Sequence, residues 1–198
     1  MRRRTKGLAA AASLAVAASG AVAAVAASSA DETDELAAAK AATARYRDVD
    51  DAEDDGWVLP PEGPLHECIE PIDGPGSMGL HYINSTNVGD TMLDPESPAA
   101  LVYEPTADGD LRLVAAEYVV FAEAWHAEHP DEHPELFGRE LMYVAEPNRY
   151  ELPAFYQIHA WMWKDNPAGI HADFNVDVSC GTSSGATAKG TSSSIGSY

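Results

Sequence analysis

Phe155-Tyr156-Gln157-Ile158-His159-Ala160-Trp161-Met162-Trp163 decides the fold class of this chain. It is aromatic and aliphatic throughout, with a single imidazole in its middle. Side chains alternate across a strand, so Phe155, Gln157, His159, Trp161 and Trp163 share one face. Tyr156, Ile158, Ala160 and Met162 share the other. Neither face is polar enough for an open edge, which makes this an interior strand covered on both sides. His159 is then enclosed, and an enclosed imidazole needs a partner.

Two other segments pose the same problem. Leu111-Arg-Leu-Val-Ala-Ala-Glu-Tyr-Val-Val120 reads as a strand with a lone carboxylate, Glu117, on the face of Leu111, Leu113, Ala115 and Val119. Met78-Gly-Leu-His-Tyr-Ile-Asn84 places His81 beside Ile83. A charged carboxylate in such a position costs several kcal/mol unless it is paired. Bringing His81, Glu117 and His159 together solves the burial problem of all three. Two imidazoles and a carboxylate are also a common ligand set for zinc, iron or manganese, with positions left for water and substrate. Tyr118, Tyr156, Gln157 and Trp161 are the candidate pocket wall. The competing reading is a metal-free set of buried hydrogen bonds that only specifies the fold. If the pocket is catalytic, Glu117 or a metal-bound water is the base and His159 a ligand or acid.

The first 30 residues read as a signal peptide: Arg2, Arg3, Arg4 and Lys6, then an Ala/Val/Leu run, then small-x-small sites ending in Ser28-Ser29-Ala30, with a retained anchor as the alternative because the run approaches spanning length. The address this implies is secreted or on the exterior of the cell envelope, with no membrane association after cleavage. The full chain carries 12 basic and 32 acidic residues, a net charge of -20. Losing four basic residues with the leader makes the remainder more acidic still. Such a surface suits either high salt or an ordinary acidic exported protein. It disfavours nucleic acid and anionic membranes as partners and favours metal cations or small molecules. The two cysteines, Cys68 and Cys180, read as a disulfide in an exported chain. A Cys nucleophile or metal thiolate is the alternative.

Residues 31–55 carry a helical period through Leu36, Ala39, Thr43, Tyr46 and Val49, with Gly56 as C-cap. Extended runs follow at Met78–Asn84, Ala100–Glu104, Leu111–Phe121, Arg139–Ala145 and Ala154–Trp163, with Asp108-Gly109 as a hairpin turn. Short helices are expected at Ala122–His129 and from Pro167. Residues 181–198 read as a disordered Gly/Ser/Thr tail. Asp51, Glu53, Asp55 and Glu62 nearly fit a calcium loop, but Glu53 stands where Asp or Asn is usual and Pro60-Pro61 would block the exiting helix. His126, His129 and His133 form a polar loop open to opportunistic Cu or Zn. No Gly-x-Ser-x-Gly, His-Glu-x-x-His, haem or phosphate-loop motif occurs, so no reaction is assigned.

Several segments taken together resemble an uncharacterised family of exported bacterial and archaeal proteins. They are Ala42-Thr43-Ala44-Arg45-Tyr46, Met78-Gly79-x-His81-Tyr82, Leu101-Val-Tyr-Glu-Pro105, Glu117-Tyr118-Val119, Leu136-Phe137-Gly138 and His159-x-Trp161-x-Trp163-x-x-Asn166-Pro167-x-Gly169. The resemblance covers about residues 40–180 and implies the domain limits and an exported class, not an activity. Asp173-Phe174-Asn175 stands where the family pattern has aromatic-Asn-Pro.

The expected architecture is α+β over residues 31–180: an N-terminal helix packed on a curved antiparallel sheet of about five strands, with closure into a small barrel as a variant. The leading functional reading is an interior pocket for a divalent metal or small polar ligand. A structural envelope protein and a calcium-responsive surface protein are the others.

Overall fold

The computed structural model describes residues 32–88 and 91–181. The signal-peptide reading of residues 1–30, and the tail reading for all but Gly181, lie outside the described residues. A helix, α1, covers residues 32–43. A 3-10 turn, Ala44–Arg47, leads to α2, Val49–Asp54. The single helix expected over 31–55 is therefore broken, and Asp48 breaks it. Its backbone is extended and its side chain accepts from the Asp50 amide, a local bond that competes with helix continuation. Asp50 and Asp51 consequently sit in the first turn of α2, where the helix dipole favours anions.

The strands are β1 (Leu80–Ile83), β2 (Ala100–Pro105), β3 (Leu111–Phe121), β4 (Glu135–Leu136), β5 (Arg139–Glu140), β6 (Met142–Val144) and β7 (Phe155–Ala160). Two further helices are α3 (Ser85–Val88) and α4 (Ala122–Glu128). Five strands make one antiparallel sheet in the order β1-β2-β3-β7-β6. The sheet is open, so the barrel variant is discarded. Loop residues cover the β1 edge through bridges from Val58 to Ile83 and Ile69 to Gly79.

The Arg139–Ala145 run divides because Leu141 turns inward and donates its amide to the Pro134 carbonyl at 2.9 Å. β5 then pairs with β4 across a two-residue turn in which Phe137 and Gly138 both have positive φ, 56° and 63°. Phenylalanine is a costly choice there. Its fully buried ring, edge-on to Tyr118 and stacked on His171, offsets that cost. No helix starts at Pro167. The Asn166 carboxamide instead accepts from Ala168 and donates to the Phe174 carbonyl, closing a turn.

One face of the sheet buries Leu101, Tyr103, Tyr118, Val120, Tyr156 and Ile158 against the helices and the β4–β5 hairpin. The other holds Val102, Ala115 and Trp161 beside Ile170 and Val178. It is covered by two loop segments that a disulfide joins, Cys68 to Cys180, 112 residues apart. Trp163 departs from strand phase. β7 ends at Ala160, the Met162 amide folds back to the Ala160 carbonyl, and the Trp163 indole donates to Thr43 on the helical face.

Candidate metal centre

Three neighbouring alignments bring the ionisable residues together. Glu117 on β3 is the direct cross-strand partner of His159 on β7. Ala100 on β2 also opposes Glu117 and pairs with Ile83, placing His81 one same-face step along β1. Gly79 sets how β1 begins. Its φ is 119°, and a Cβ there would lie 2.6 Å from the Tyr103 carbonyl oxygen, so only glycine lets the strand approach this closely.

His81 Nε2 lies 3.5 Å from Glu117 Oε2, and His159 Nε2 lies 4.0 Å from Glu117 Oε1. One ligand atom from each of the three residues falls within 4.8 Å of the others. These are the only three or more His, Cys, Asp or Glu among the described residues gathered closely enough to hold a metal ion. Three N/O ligands about 2.1 Å from one ion sit about 3.3 Å apart. With one atom from each residue the separations reach up to 4.8 Å, so the cluster would contract by as much as about 1.5 Å to hold an ion. His81 is 2% exposed, Glu117 8% and His159 0%. All four imidazole nitrogens lie buried without a hydrogen bond of good geometry. Buried polar atoms are rarely left so.

Burial sets the protonation. It lowers His81 to about 4, weakly opposed by the Gly79 backbone. It lowers His159 to about 3, helped by His81 and His171. It raises Glu117 to about 8, helped by the charge of Asp173. At neutral pH both imidazoles are neutral, the form that ligates a metal, while Glu117 keeps its proton.

These shifts predict a stability maximum. Folded Glu117 holds a proton that the unfolded chain releases above about pH 4.5, so its contribution is lost as pH rises toward 8. The unfolded histidines take up protons below about pH 6.5 that the folded ones refuse, so theirs is lost as pH falls. Two imidazoles outweigh one carboxyl below pH 6.5, and the carboxyl acts alone above it. Metal-free protein should be most stable near pH 6.5 as far as this cluster is concerned. Glu117→Gln should abolish a fall of about 2 kcal/mol between pH 6.5 and 8. Urea titrations at both pH values test this; parallel losses in variant and wild type would refute it.

The remaining expected residues divide between the two faces. Gln157 lines a cavity of about 170 Å³ next to Glu117 and His81. Trp161 stacks against His159 and donates its indole N–H to the Ala172 carbonyl. Tyr118 and Tyr156 are not pocket wall: Tyr118 donates to the Pro95 carbonyl and Tyr156 meets His126, both on the helical face. Strand alternation beside Glu117 and Gln157 requires this. Asp51 and Glu53 lie on α2, and Asp55 is engaged by Arg45 and Tyr46, so this segment is not built as a calcium loop. His126 and Tyr156 form a side-chain pair, and His129 stacks on Trp125.

Two residues escaped the sequence reading. Asp173 Oδ1 lies 3.8 Å from His159 Nδ1, on the ring nitrogen away from Glu117. His171 Nδ1 approaches the His159 carbonyl at 2.7 Å, with its Nε2 3.4 Å from Glu32. Both lie in irregular backbone after β7, where strand phase assigns no face. Asn175 anchors that loop, fully buried and donating to the Asp165 carbonyl.

No protein-family model, curated protein or solved structure matches the chain. The geometry therefore defines a class of site, a buried two-histidine, one-carboxylate cluster able to hold one metal ion, and carries the functional argument alone.

Proposed function

We propose that this is an exported protein that binds one divalent transition metal through His81, Glu117 and His159, beside a small chamber for a ligand. The unsatisfied imidazole nitrogens carry the reading. A cluster serving only the fold would be expected to close its hydrogen bonds, whereas here the Gly79 backbone alone engages His81, His159 has no close partner, and both rings are held neutral. The nitrogen and oxygen donors suit zinc, iron or manganese better than calcium or magnesium. Such an ion supplies Lewis acidity or an activated water. Asp173, 3.8 Å from His159 Nδ1, would draw in as the outer carboxylate that fixes the tautomer of a ligating histidine.

The disulfide supports an oxidising destination. No helix among the described residues is long and apolar enough to cross a membrane. Elemental analysis of protein purified without a histidine tag should find about one transition metal per chain. Stoichiometric metal-free protein that gains no heat stability from zinc, manganese or ferrous ions would overturn the reading. Asp173→Asn should weaken the metal about 10- to 100-fold while leaving it bound at saturation, as read by competition with a chelator.

A further inference from the structure

The cavity at the cluster has a definite size and chemistry. It measures about 170 Å³ and reaches His81 and Glu117 at its floor. Its walls include Leu65, Ile69, Met78, Val119, Leu152 and Phe155. The Tyr150 side chain also faces it, its hydroxyl 4.0 Å from the Met78 sulfur, a weak partner at best. A dry chamber of about 150 Å³ lined by such side chains holds one benzene ring. The Gln157 carboxamide is the other polar group on the wall, so a polyol or sugar of the same volume would surrender more hydrogen bonds than these two side chains can return. The floor differs from the walls. Three protein ligands leave coordination positions on an ion open, and two of the three ligand residues border the chamber.

We propose that the chamber binds a molecule the size of a single aromatic ring, hydrocarbon over most of its surface and carrying one oxygen donor directed at the metal: a ligand of the phenol class. This rests on the metal reading above and adds the ligand to it. The rim residues Leu65, Val88, Tyr150 and Leu152 are half-buried, so the ring enters from the loop side of the sheet and its oxygen arrives last, at the floor. The hydrocarbon walls supply affinity, and the ion supplies preference for oxygen.

The test uses the full chain, metal-loaded and metal-stripped, with phenol and toluene as probes in calorimetric titrations. The loaded protein should bind phenol at least tenfold more tightly than toluene, and stripping should reduce phenol to the level of toluene. Val119→Phe, which fills the chamber from β3, should abolish binding of both while retaining metal at wild-type stoichiometry. Leu152→Trp at the rim does the same from the loop side should Val119→Phe fail to fold. Loaded protein that binds neither probe, or variants that bind both as wild type does, would overturn the proposal and leave the metal reading standing. Protein that takes up no metal yet binds the two probes equally would overturn both the metal reading and the oxygen preference.

Discussion

Glu117→Gln is expected to leave metal-free protein at least as stable as wild type at pH 8 and to abolish its response to metal. The two effects have opposite signs, which makes the substitution decisive. Glutamine preserves the shape of the side chain and removes a carboxyl that burial already holds at about 8, so no desolvated charge remains to destabilise the fold. It also removes the only anionic donor among the three. For wild type, metal at a thousand times its dissociation constant should stabilise the fold by about 4 kcal/mol, or roughly 10 °C in melting temperature for a chain of this length. The variant should show little of that shift. His159→Ala should lose the shift as well, but with a drop in metal-free stability because a fully buried ring is replaced by a cavity. A purely structural cluster predicts the reverse for Glu117→Gln, a lower melting temperature and no metal effect in either protein. Differential scanning calorimetry with and without zinc or manganese separates the two.

Loss of the Cys68–Cys180 bridge is the second large effect. The bridge closes a loop across 112 residues, and removing a cross-link of that span is expected to cost about 4–5 kcal/mol in the chain-entropy account. It also joins the two segments that lie over the site. Leu65, Ile69 and Met78 come from one, Asp173 and Val178 from the other. Replacing both cysteines by serine should therefore lower the urea midpoint and weaken the metal together. A double-serine protein with wild-type metal affinity would show that the cover is held by its own packing, through Ser77–Asn175 pairing and the Lys164–Glu104 ion pair, and that the bridge serves stability alone.

Much of the sheet was legible because strand phase is a local property. Alternation in Phe155–Ala160 and Ala115–Phe121 states which side chains share a face. It put Glu117 and His159 on interior faces, and the same rule places Tyr118 and Tyr156 on the opposite side. Upstream of Ala115 a bulge turns Leu111 and Leu113 to the helical face, against the strand phase that set them beside Glu117. Where strand geometry ended, so did the rule. Trp163 follows a backbone reversal at Ala160, and Asp48 interrupts a helical period through a side-chain bond that apolar spacing does not register. Phe137 occupies a turn position that local preference would give to glycine or asparagine. Burial of its ring prevailed over that preference.

By itself the sequence determined most of the strand runs, the interior faces of His81, Glu117 and His159, the acidic balance and an even cysteine pair, since each depends on residue type and short-range periodicity. Only the tertiary structure decided that β3 would take β7 as its second neighbour beside β2, passing over β4, β5 and β6, and that a bulge between Val102 and Tyr103 would adjust the register. It also brought Asp173 to the far nitrogen of His159 and left an apolar chamber above Glu117. Those outcomes arise from long-range packing, in which a one-residue slip would turn every side chain of a strand to the wrong face, and no local pattern encodes the separation between residues 81, 117 and 159.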